Sequence, residues 1–241
     1  MRRARLGQLR RSLNRGLSRS GFMIVRRGEG SPRPSVFDRL YHMAAAGFRP
    51  RTVLDVGAAF GIWTSECRSI FPDADYVLVE PNPVYHDSLE RETLVPAAAG
   101  SVSERRQLLL PSDPAGGSFL PEDPPKGYFQ NEVEVDVVRL DDVITQPVDL
   151  MKLDVQGFEI EVMQGAGRIL RDCEVLIAEC SLYPFQRDIP LIHEVIAYVL
   201  DKGFRVYDYG GDVRWSSKTL AQLDLIFVKE NSHLRRRELW R

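Results

Sequence analysis

The sequence predicts an α/β fold in which helices cover both faces of a doubly wound sheet. Short runs rich in β-branched and aliphatic residues alternate with helical patterns between residues 51 and 180. A turn of small residues follows the first run, and acidic side chains stand at the ends of several runs. Close alternation of this kind is typical of parallel strands joined by right-handed crossovers. The 241 residues suffice for one large domain with a short arm.

Hydrophobic periodicity and turn residues give the elements in chain order. The first part of the chain is predicted to contain a helix at 37–44 that ends at Gly47, then strand 51–56, helix 61–70, strand 76–79, helix 84–91 and strand 95–98. Extended segments at 104–110 and 132–139 flank a proline- and glycine-rich loop at 111–127. Such a loop is either functional or a disordered insertion.

The later elements are predicted as strand 148–153, helix 158–171, strand 174–180, helix 191–202 ending at Gly203, and strands 204–209 and 223–229. No helical pattern separates the last two strands, so we expect them to form an antiparallel hairpin at one edge of the sheet.

The basic N-terminal segment differs from the rest of the chain. Residues 1–33 carry ten arginines and one acid, which leaves 22 basic and 33 acidic residues in 34–241. We therefore predict a basic arm (1–33) and one domain (34–241). Arginines interrupt the leucines of the arm, so we do not expect a secretory signal. The alternatives are a loosely ordered arm, an amphipathic helix that docks on the body, or a helix that contacts an anionic membrane or a partner. The acidic body does not favour nucleic-acid binding.

The cysteines indicate a reducing compartment. Cys67, Cys173 and Cys180 form no CxxC pair and have no metal-like spacing with histidine. We interpret them as buried core residues of a cytoplasmic protein. We find no apolar run long enough for a membrane-spanning helix.

The first candidate binding motif is the turn after strand 51–56. The small residues Gly57, Ala59 and Gly61 allow the backbone to approach a ligand closely, and the following helix offers N–H groups to a carboxylate. Asp55 is suited to a cationic amino group. A tight turn without a ligand is the alternative.

The second candidate site follows the next strand. Glu80 stands 23 residues after Gly57, a separation at which an acid commonly binds ribose hydroxyls. Asn82 could hydrogen bond to the same nucleoside. The alternative is a surface acid before a proline.

The third candidate site is the end of strand 148–153. Lys152 and Asp154 are two residues apart on a strand and therefore face the same side. Asp154 is then a base, a substrate clamp or a metal ligand, or else part of a structural ion pair with Lys152. Glu179, at the end of the next strand, has the same alternatives.

The glycine turn discriminates among nucleotide cofactors. A dinucleotide fingerprint beginning at Gly57 requires glycine at positions that hold Ala59 and Ile62. The observed D-x-G-x-A-x-G instead matches the methyltransferase pattern D/E-x-G-x-G-x-G, with alanine at its middle glycine.

The sequence resembles the FkbM family of S-adenosylmethionine-dependent methyltransferases from about Phe37 to Lys229. The resemblance rests on seven segments: TVLDVGAAFGIWT (52–64), VEPNP (79–83), VEVDVVRLDDVI (133–144), MKLDVQGFEIEVMQGAGRIL (151–170), LIAEC (176–180), GFRVYDY (203–209) and LDLIFVK (223–229). It implies a Rossmann-like sheet of the class I methyltransferase type, with seven strands of which the last is antiparallel. It also implies methyl transfer, usually to the oxygen of a sugar, a polyketide or a glycolipid.

The resemblance also implies roles for individual residues. Asp55, Gly57, Ala59 and Gly61 would hold the methionine part of S-adenosylmethionine, Glu80 would hold the ribose, and Asp154 would face the acceptor. Many relatives have glutamate where this chain has Gln156, which puts any mechanism that needs an acidic pair at 154 and 156 in doubt. Ser118 lies where relatives often have a serine-rich loop that could cover the site.

The predicted function is therefore an O-methyltransferase that acts on a small-molecule or glycan acceptor. A hydroxyl needs a base, for which Asp154 is the first candidate with Lys152 as its partner. Without a dense carboxylate or histidine cluster we predict no metal, although an ion on Asp154 is the alternative. Two other classes stay open: a nicotinamide-dependent oxidoreductase and a non-catalytic S-adenosylmethionine-binding or scaffolding protein.

Overall fold

A computed structural model describes residues 35–90, 92–111, 116–122, 127–214 and 219–235. The predicted arm at 1–33, with its membrane contact, lies outside the described residues, as do 112–115 and 123–126 of the predicted loop. Among the described helices, none is long and apolar enough to cross a membrane.

The described helices and strands follow the predicted order closely. The helices are α1 (Val36–Ala45), α2 (Ile62–Arg68), α3 (His86–Leu89), α4 (Leu140–Val143), α5 (Glu159–Gln164), α6 (Gly167–Asp172) and α7 (Ile192–Asp201). The strands are β1 (Thr52–Val56), β2 (Asp75–Val79), β3 (Thr93–Val95), β4 (Ala98–Ala99), β5 (Glu104–Pro111), β6 (Phe129–Val138), β7 (Leu150–Leu153), β8 (Val175–Ser181), β9 (Phe204–Arg214) and β10 (Leu220–Lys229).

The main sheet confirms the predicted fold class. Its seven strands run in the order β3-β2-β1-β7-β8-β10-β9. β1, β2, β3, β7 and β8 pair in parallel, whereas β10 is antiparallel to both β8 and β9. The last strand of the chain is therefore the antiparallel one, and the β9–β10 hairpin forms an edge of the sheet as predicted.

Two cores enclose the sheet. On one face, α1 and α2 pack over side chains such as Val53, Leu150 and Ile177. On the other face, α5, α6 and α7 join side chains from β5 and β6. All three cysteines are free and buried in these cores, which confirms their interpretation as core residues.

A second, three-stranded sheet was not predicted. Its order is β4-β6-β5, and the predicted strand at 95–98 divides between this sheet and β3 of the main sheet. β5 and β6 form an antiparallel hairpin. The segment that connects them folds back onto β5, where Ser118 pairs with Leu109. The hairpin and its connection place residues 116–119 over the carboxyl edge of the main sheet, where they line a cavity described below.

The predicted helix at 158–171 is two helices. The backbone N–H of Asp141 donates to the carbonyl of Gly165, and the Asp141 carboxylate accepts from Arg168 N (2.7 Å) and Ile169 N (3.1 Å). Asp141 therefore caps the beginning of α6 and separates it from α5. A Cβ at Gly165 would lie 1.9 Å from the carbonyl oxygen of Gly100, so this break depends on glycine.

We predict that Gly165→Ala destabilises the fold, because its methyl group would collide with backbone that cannot rotate away. The expected loss is about 1–3 kcal/mol in the free energy of unfolding, measured by urea denaturation. Gly167→Ala is the matched control, since its nearest neighbour would be 3.8 Å away and alanine favours a helix by up to about 1 kcal/mol. Equal stability of the two variants would contradict the close contact at Gly165.

Candidate functional site

A cavity of about 390 Å³ opens at the carboxyl ends of the parallel strands. It lies where the strand order reverses between β1 and β7, which is where ligands bind in open α/β sheets. Its lining includes the turn after β1, the segment after β2, the segment after β7 with Glu179 of β8, β4, the β9–β10 hairpin at Val213 and Gln222, and the covering hairpin. The covering residues include Leu108, Gly116, Gly117, Ser118, Phe119 and Tyr128.

The turn after β1 is held tightly against its neighbours. The N–H of Gly57 donates to Val79 O of β2 (2.9 Å). A Cβ at Gly57 would lie 1.9 Å from the carbonyl oxygen of Asp154. Gly57, Ala59 and Gly61 all have positive φ angles, of 82°, 45° and 69°. The predicted small-residue turn is therefore a left-handed one, and Ala59 adopts a conformation that normally favours glycine.

Glu80 joins this turn to the segment after β2. Its Oε2 accepts from the N–H of Ala59, and its Oε1 accepts from the N–H of Asn82, both at 2.8 Å. Burial raises the pKa of Glu80 despite these two bonds. A carboxylate can accept about four hydrogen bonds, so Glu80 keeps acceptor sites on the cavity it lines.

Asn82 has an unused donor beside Glu80. Its Oδ1 accepts from Val84 N (3.1 Å). Its buried Nδ2 has no hydrogen-bond partner among the described residues, although the side chain lines the cavity. A buried donor without a partner is costly, so the site is suited to a ligand that accepts a hydrogen bond here.

Asp55 lies behind the cavity. The side chain is fully buried and is not among the cavity-lining residues. Its Oδ2 accepts from Thr64 Oγ1 at 2.6 Å, and its Oδ1 lies 3.9 Å from Lys152 Nζ. Burial raises the pKa of Asp55, while Lys152 and Thr64 oppose the increase. Gly61 also lies outside the lining residues.

Lys152 and Asp154 form the ion pair that the strand spacing predicts. Nζ of Lys152 lies 2.9 Å from Asp154 Oδ2, and the lysine side chain is 7% exposed. The same ammonium lies 5.7 Å from the ring centre of Trp63. Nearby carboxylates, chiefly Asp154 and then Asp55, outweigh burial and raise the pKa of Lys152. Lys152 therefore stays charged, and only Asp154 of the pair reaches the cavity.

Gln156 connects Asp154 to Glu179. Its Nε2 donates to Asp154 Oδ1 at 2.9 Å and to Glu179 Oε2 at 3.0 Å. Gln156 has a φ of 50°, and its carbonyl accepts from Ser118 Oγ at 2.8 Å. The covering segment therefore holds a strained residue in place between two carboxylates.

Glu179 and Gln222 complete the polar part of the lining. Gln222 Nε2 donates to Glu179 Oε2 at 2.9 Å. The sequence indicated Glu179 as a candidate site residue because it stands at the end of a predicted strand. Gln222 carried no such signal, because β10 reaches this edge by antiparallel pairing with β8, with Gln222 opposite Ser181.

The described residues contain no group of three or more histidine, cysteine, aspartate or glutamate side chains that could hold a metal ion. His86, the histidine closest in sequence to the second strand end, contacts the carbonyl oxygen of Glu80 through Nε2 at 2.9 Å.

Comparison with known proteins gives a family match. The model of the methyltransferase FkbM domain matches residues 55–206, more than half of the chain. The methyltransferase sdnD from Sordaria araneosa is 27% identical over 168 residues, which cover 53% of this chain and 64% of that protein. The match thus spans less than two thirds of that relative.

Solved structures also resemble the chain. The methyltransferase FkbM from Methylobacillus flagellatus KT aligns with a TM-score of 0.47 and 19% identity, over 73% of this chain and 43% of that one. Magnesium protoporphyrin IX methyltransferase (ChlM) from Synechocystis PCC 6803 aligns with a TM-score of 0.48 and 11% identity, over 93% of this chain and 96% of the other.

We predict that Ala59→Gly stabilises the protein, because glycine removes the left-handed strain at this position. The strain costs about 1–2 kcal/mol, and the extra freedom of glycine in the unfolded chain offsets about 0.5–1 kcal/mol of the gain. We expect a net increase of up to about 1 kcal/mol in the free energy of unfolding, measured by denaturant titration. Ala58→Gly is the control, since Ala58 has no positive φ and should lose stability. A loss of stability in Ala59→Gly would contradict the strained turn.

Proposed function

Since this chain belongs to the FkbM methyltransferase family, we propose that it transfers a methyl group to a hydroxyl oxygen of a sugar, a glycolipid or a secondary metabolite. S-adenosylmethionine is the cofactor that supplies the methyl group. The observation that carries the choice of a hydroxyl is the pair of carboxylates, Asp154 and Glu179, at the wall of the cavity.

The residues of the cavity fit S-adenosylmethionine. The unpartnered Nδ2 of Asn82 and the remaining acceptor sites of Glu80 suit the polar edge of a nucleoside. Gly57 and Ala59 line the cavity, and these small residues allow a ligand to approach the backbone closely. The carboxylates around the cavity complement a positive sulfonium. We propose that Glu80 and Asn82 hold the nucleoside and that the turn at 57–61 holds the methionine part.

Asp55 has an indirect part in this proposal. Because it is fully buried and bonded to Thr64, we propose that it fixes the turn and the beginning of α2 rather than binding the amino group directly. Gly61, with its φ of 69°, closes the same turn. Asp55 and Gly61 therefore shape the methionine site from behind.

The bound cofactor supplies an electrophilic methyl group, so the chain must align the acceptor and remove its proton. The acceptor side of the cavity combines Phe119, Tyr128 and Val213 with Glu179 and Gln222. The apolar side chains suit the carbon skeleton of the acceptor and exclude water, whereas the polar ones suit its hydroxyl. We propose that Lys152 keeps Asp154 charged at the boundary between cofactor and acceptor.

The acidic character of residues 34–241 supports a small-molecule or glycan acceptor over a nucleic acid, because phosphate backbones require a basic surface. A cytoplasmic location fits the free, buried cysteines and is part of the same proposal.

Calorimetry and a transfer assay test this function. We predict saturable binding of S-adenosylhomocysteine to the full chain and no binding of NADH. Glu80→Gln should weaken binding at least about tenfold, since bonds to a charged group contribute about 1.5–3 kcal/mol. Glu90→Gln, at an exposed position of the same segment, is the control and should bind normally.

The transfer assay follows release of S-adenosylhomocysteine with panels of hydroxyl and amine acceptors. Turnover with hydroxyl compounds alone is the expected result. Turnover with amines alone would refute O-methylation, and cofactor binding without any turnover would favour a non-catalytic binding or scaffolding protein. Absence of cofactor binding would remove the basis of the proposal.

A further inference from the structure

Two carboxylates at the ends of neighbouring strands share one amide. Asp154 follows β7 and Glu179 belongs to β8, and Gln156 donates to both of them through Nε2. A primary amide carries two N–H bonds, so one glutamine satisfies both contacts. The two acids therefore stand at the same wall of the cavity, at a fixed separation.

The donors to the two acids differ in charge. Asp154 accepts from the Lys152 ammonium on Oδ2 and from Gln156 on Oδ1, so both of its oxygens are engaged. Glu179 accepts only from neutral amides, those of Gln156 and Gln222, and both reach Oε2. Within the described part of the chain, Glu179 Oε1 receives no hydrogen bond.

The surroundings of the two acids shift their pKa values in opposite directions. Burial, followed by the charges of Asp154, Asp224 and Glu159, raises the pKa of Glu179 well above its usual range, and Lys152 opposes this only in part. For Asp154, burial acts in the same direction, but the charge and hydrogen bond of Lys152 and the bond from Gln156 outweigh it and lower the pKa. Neighbouring acids with opposite shifts are typical of a division between proton acceptor and fixed anion.

We propose that Glu179 is the catalytic base that takes the proton of the acceptor hydroxyl on Oε1, while Asp154 stays an anion throughout. The assignment rests on the proposed O-methylation. The acceptor oxygen forms its bond to the methyl carbon, its proton passes to Glu179, and the electron pair of the broken carbon–sulfur bond stays with sulfur. The positive charge of the sulfonium and the negative charge of Glu179 disappear together, so atoms and charge balance.

Gln156 and Gln222 are positioning residues in this arrangement. Both hold Oε2 of Glu179, which directs Oε1 away from the two amides. The Ser118 hydroxyl bond to Gln156 O links this geometry to the covering segment. The covering segment thus contacts one of the two residues that position Glu179.

The first test needs no acceptor. Infrared difference spectroscopy of the full chain with bound S-adenosylhomocysteine follows protonated carboxyl groups as the pH rises. We expect a carboxyl group whose pKa lies well above the pKa of an ordinary glutamate, which is about 4.3. Its signal should be absent in Glu179→Gln, shifted to lower pH in Asp154→Asn because one repelling charge is removed, and unchanged in the exposed control Glu132→Gln. Burial also raises the pKa of Asp224 to about 6 and that of Glu159 to about 7, so the test measures the loss of one carboxyl group from the total signal. A signal whose amplitude is undiminished in Glu179→Gln would overturn the assignment.

The second test uses the hydroxyl acceptor identified in the transfer assay. General-base catalysis contributes about 10²–10⁴-fold, so Glu179→Gln should lose that much in kcat while its affinity for S-adenosylhomocysteine stays within about threefold. Because the base must be ionised, wild-type turnover should rise with pH through the pKa of Glu179, and this rise should move to lower pH in Asp154→Asn.

Failure of the Glu179 assignment and failure of O-methylation give different experimental results. If Glu179→Gln keeps its turnover and Asp154→Asn loses it, Asp154 is the base and the proposal is wrong. If only amines are methylated, O-methylation fails, and the infrared titration still decides whether Glu179 is the high-pKa acid of the site.

Discussion

The arrangement of the cavity depends on one buried ammonium. Lys152 stands opposite Asp55 in the parallel pairing of β1 and β7, and it bonds Asp154 two residues further along its own strand. Its influence extends to Asp224 on β10. Ionised groups are costly to bury unless they are paired, so this lysine makes an acidic carboxyl edge compatible with a folded sheet.

The surroundings of the acids near Lys152 differ. Asp55, behind the cavity, accepts a hydrogen bond from Thr64 at the beginning of α2, whereas Lys152 lowers the pKa of Asp154 at the cavity wall. Asp224 and Glu179 lie beyond its direct hydrogen bonds, and burial raises the pKa of Asp224 to about 6. The direct bond of Lys152 lowers the pKa of Asp154, whereas burial raises the pKa of Glu179, which Lys152 offsets only in part.

The sequence predicted the elements whose signals are local. Strand ends, the small-residue turn and the Lys152–Asp154 spacing follow from periodicity and from the pleat, and the structure has them where expected. The three-stranded sheet over the cavity was missed because β4, β5 and β6 pair over long separations. The break between α5 and α6 was missed because it comes from contacts with Gly100 and Asp141.

The sequence pattern likewise could not show how deeply a side chain is buried or which residues distant in sequence contact it. Alternation along β1 shows which face Asp55 occupies, but the proximity of Thr64 and Lys152 decides that it lies behind the cavity. Gln222 reaches Glu179 only through the antiparallel return of β10. Glu179 could be located at a strand end, whereas its basicity depends on charges from β7, α5 and β10.

Unfolding of Lys152→Met as a function of pH tests the central role of this lysine most directly. At neutral pH, removal of the ammonium leaves buried carboxylates uncompensated and should cost about 3–5 kcal/mol. Lys202→Met, which loses an exposed pair with Asp201, should cost much less, because water screens that pair. The lowered pKa of Asp154 means that the stabilisation from Lys152 is present above the unfolded pKa of about 3.9 and is lost as the pH falls through the folded value. The deficit of Lys152→Met should therefore shrink as the pH is lowered. A deficit that is independent of pH, or no larger than that of Lys202→Met, would contradict this role of Lys152.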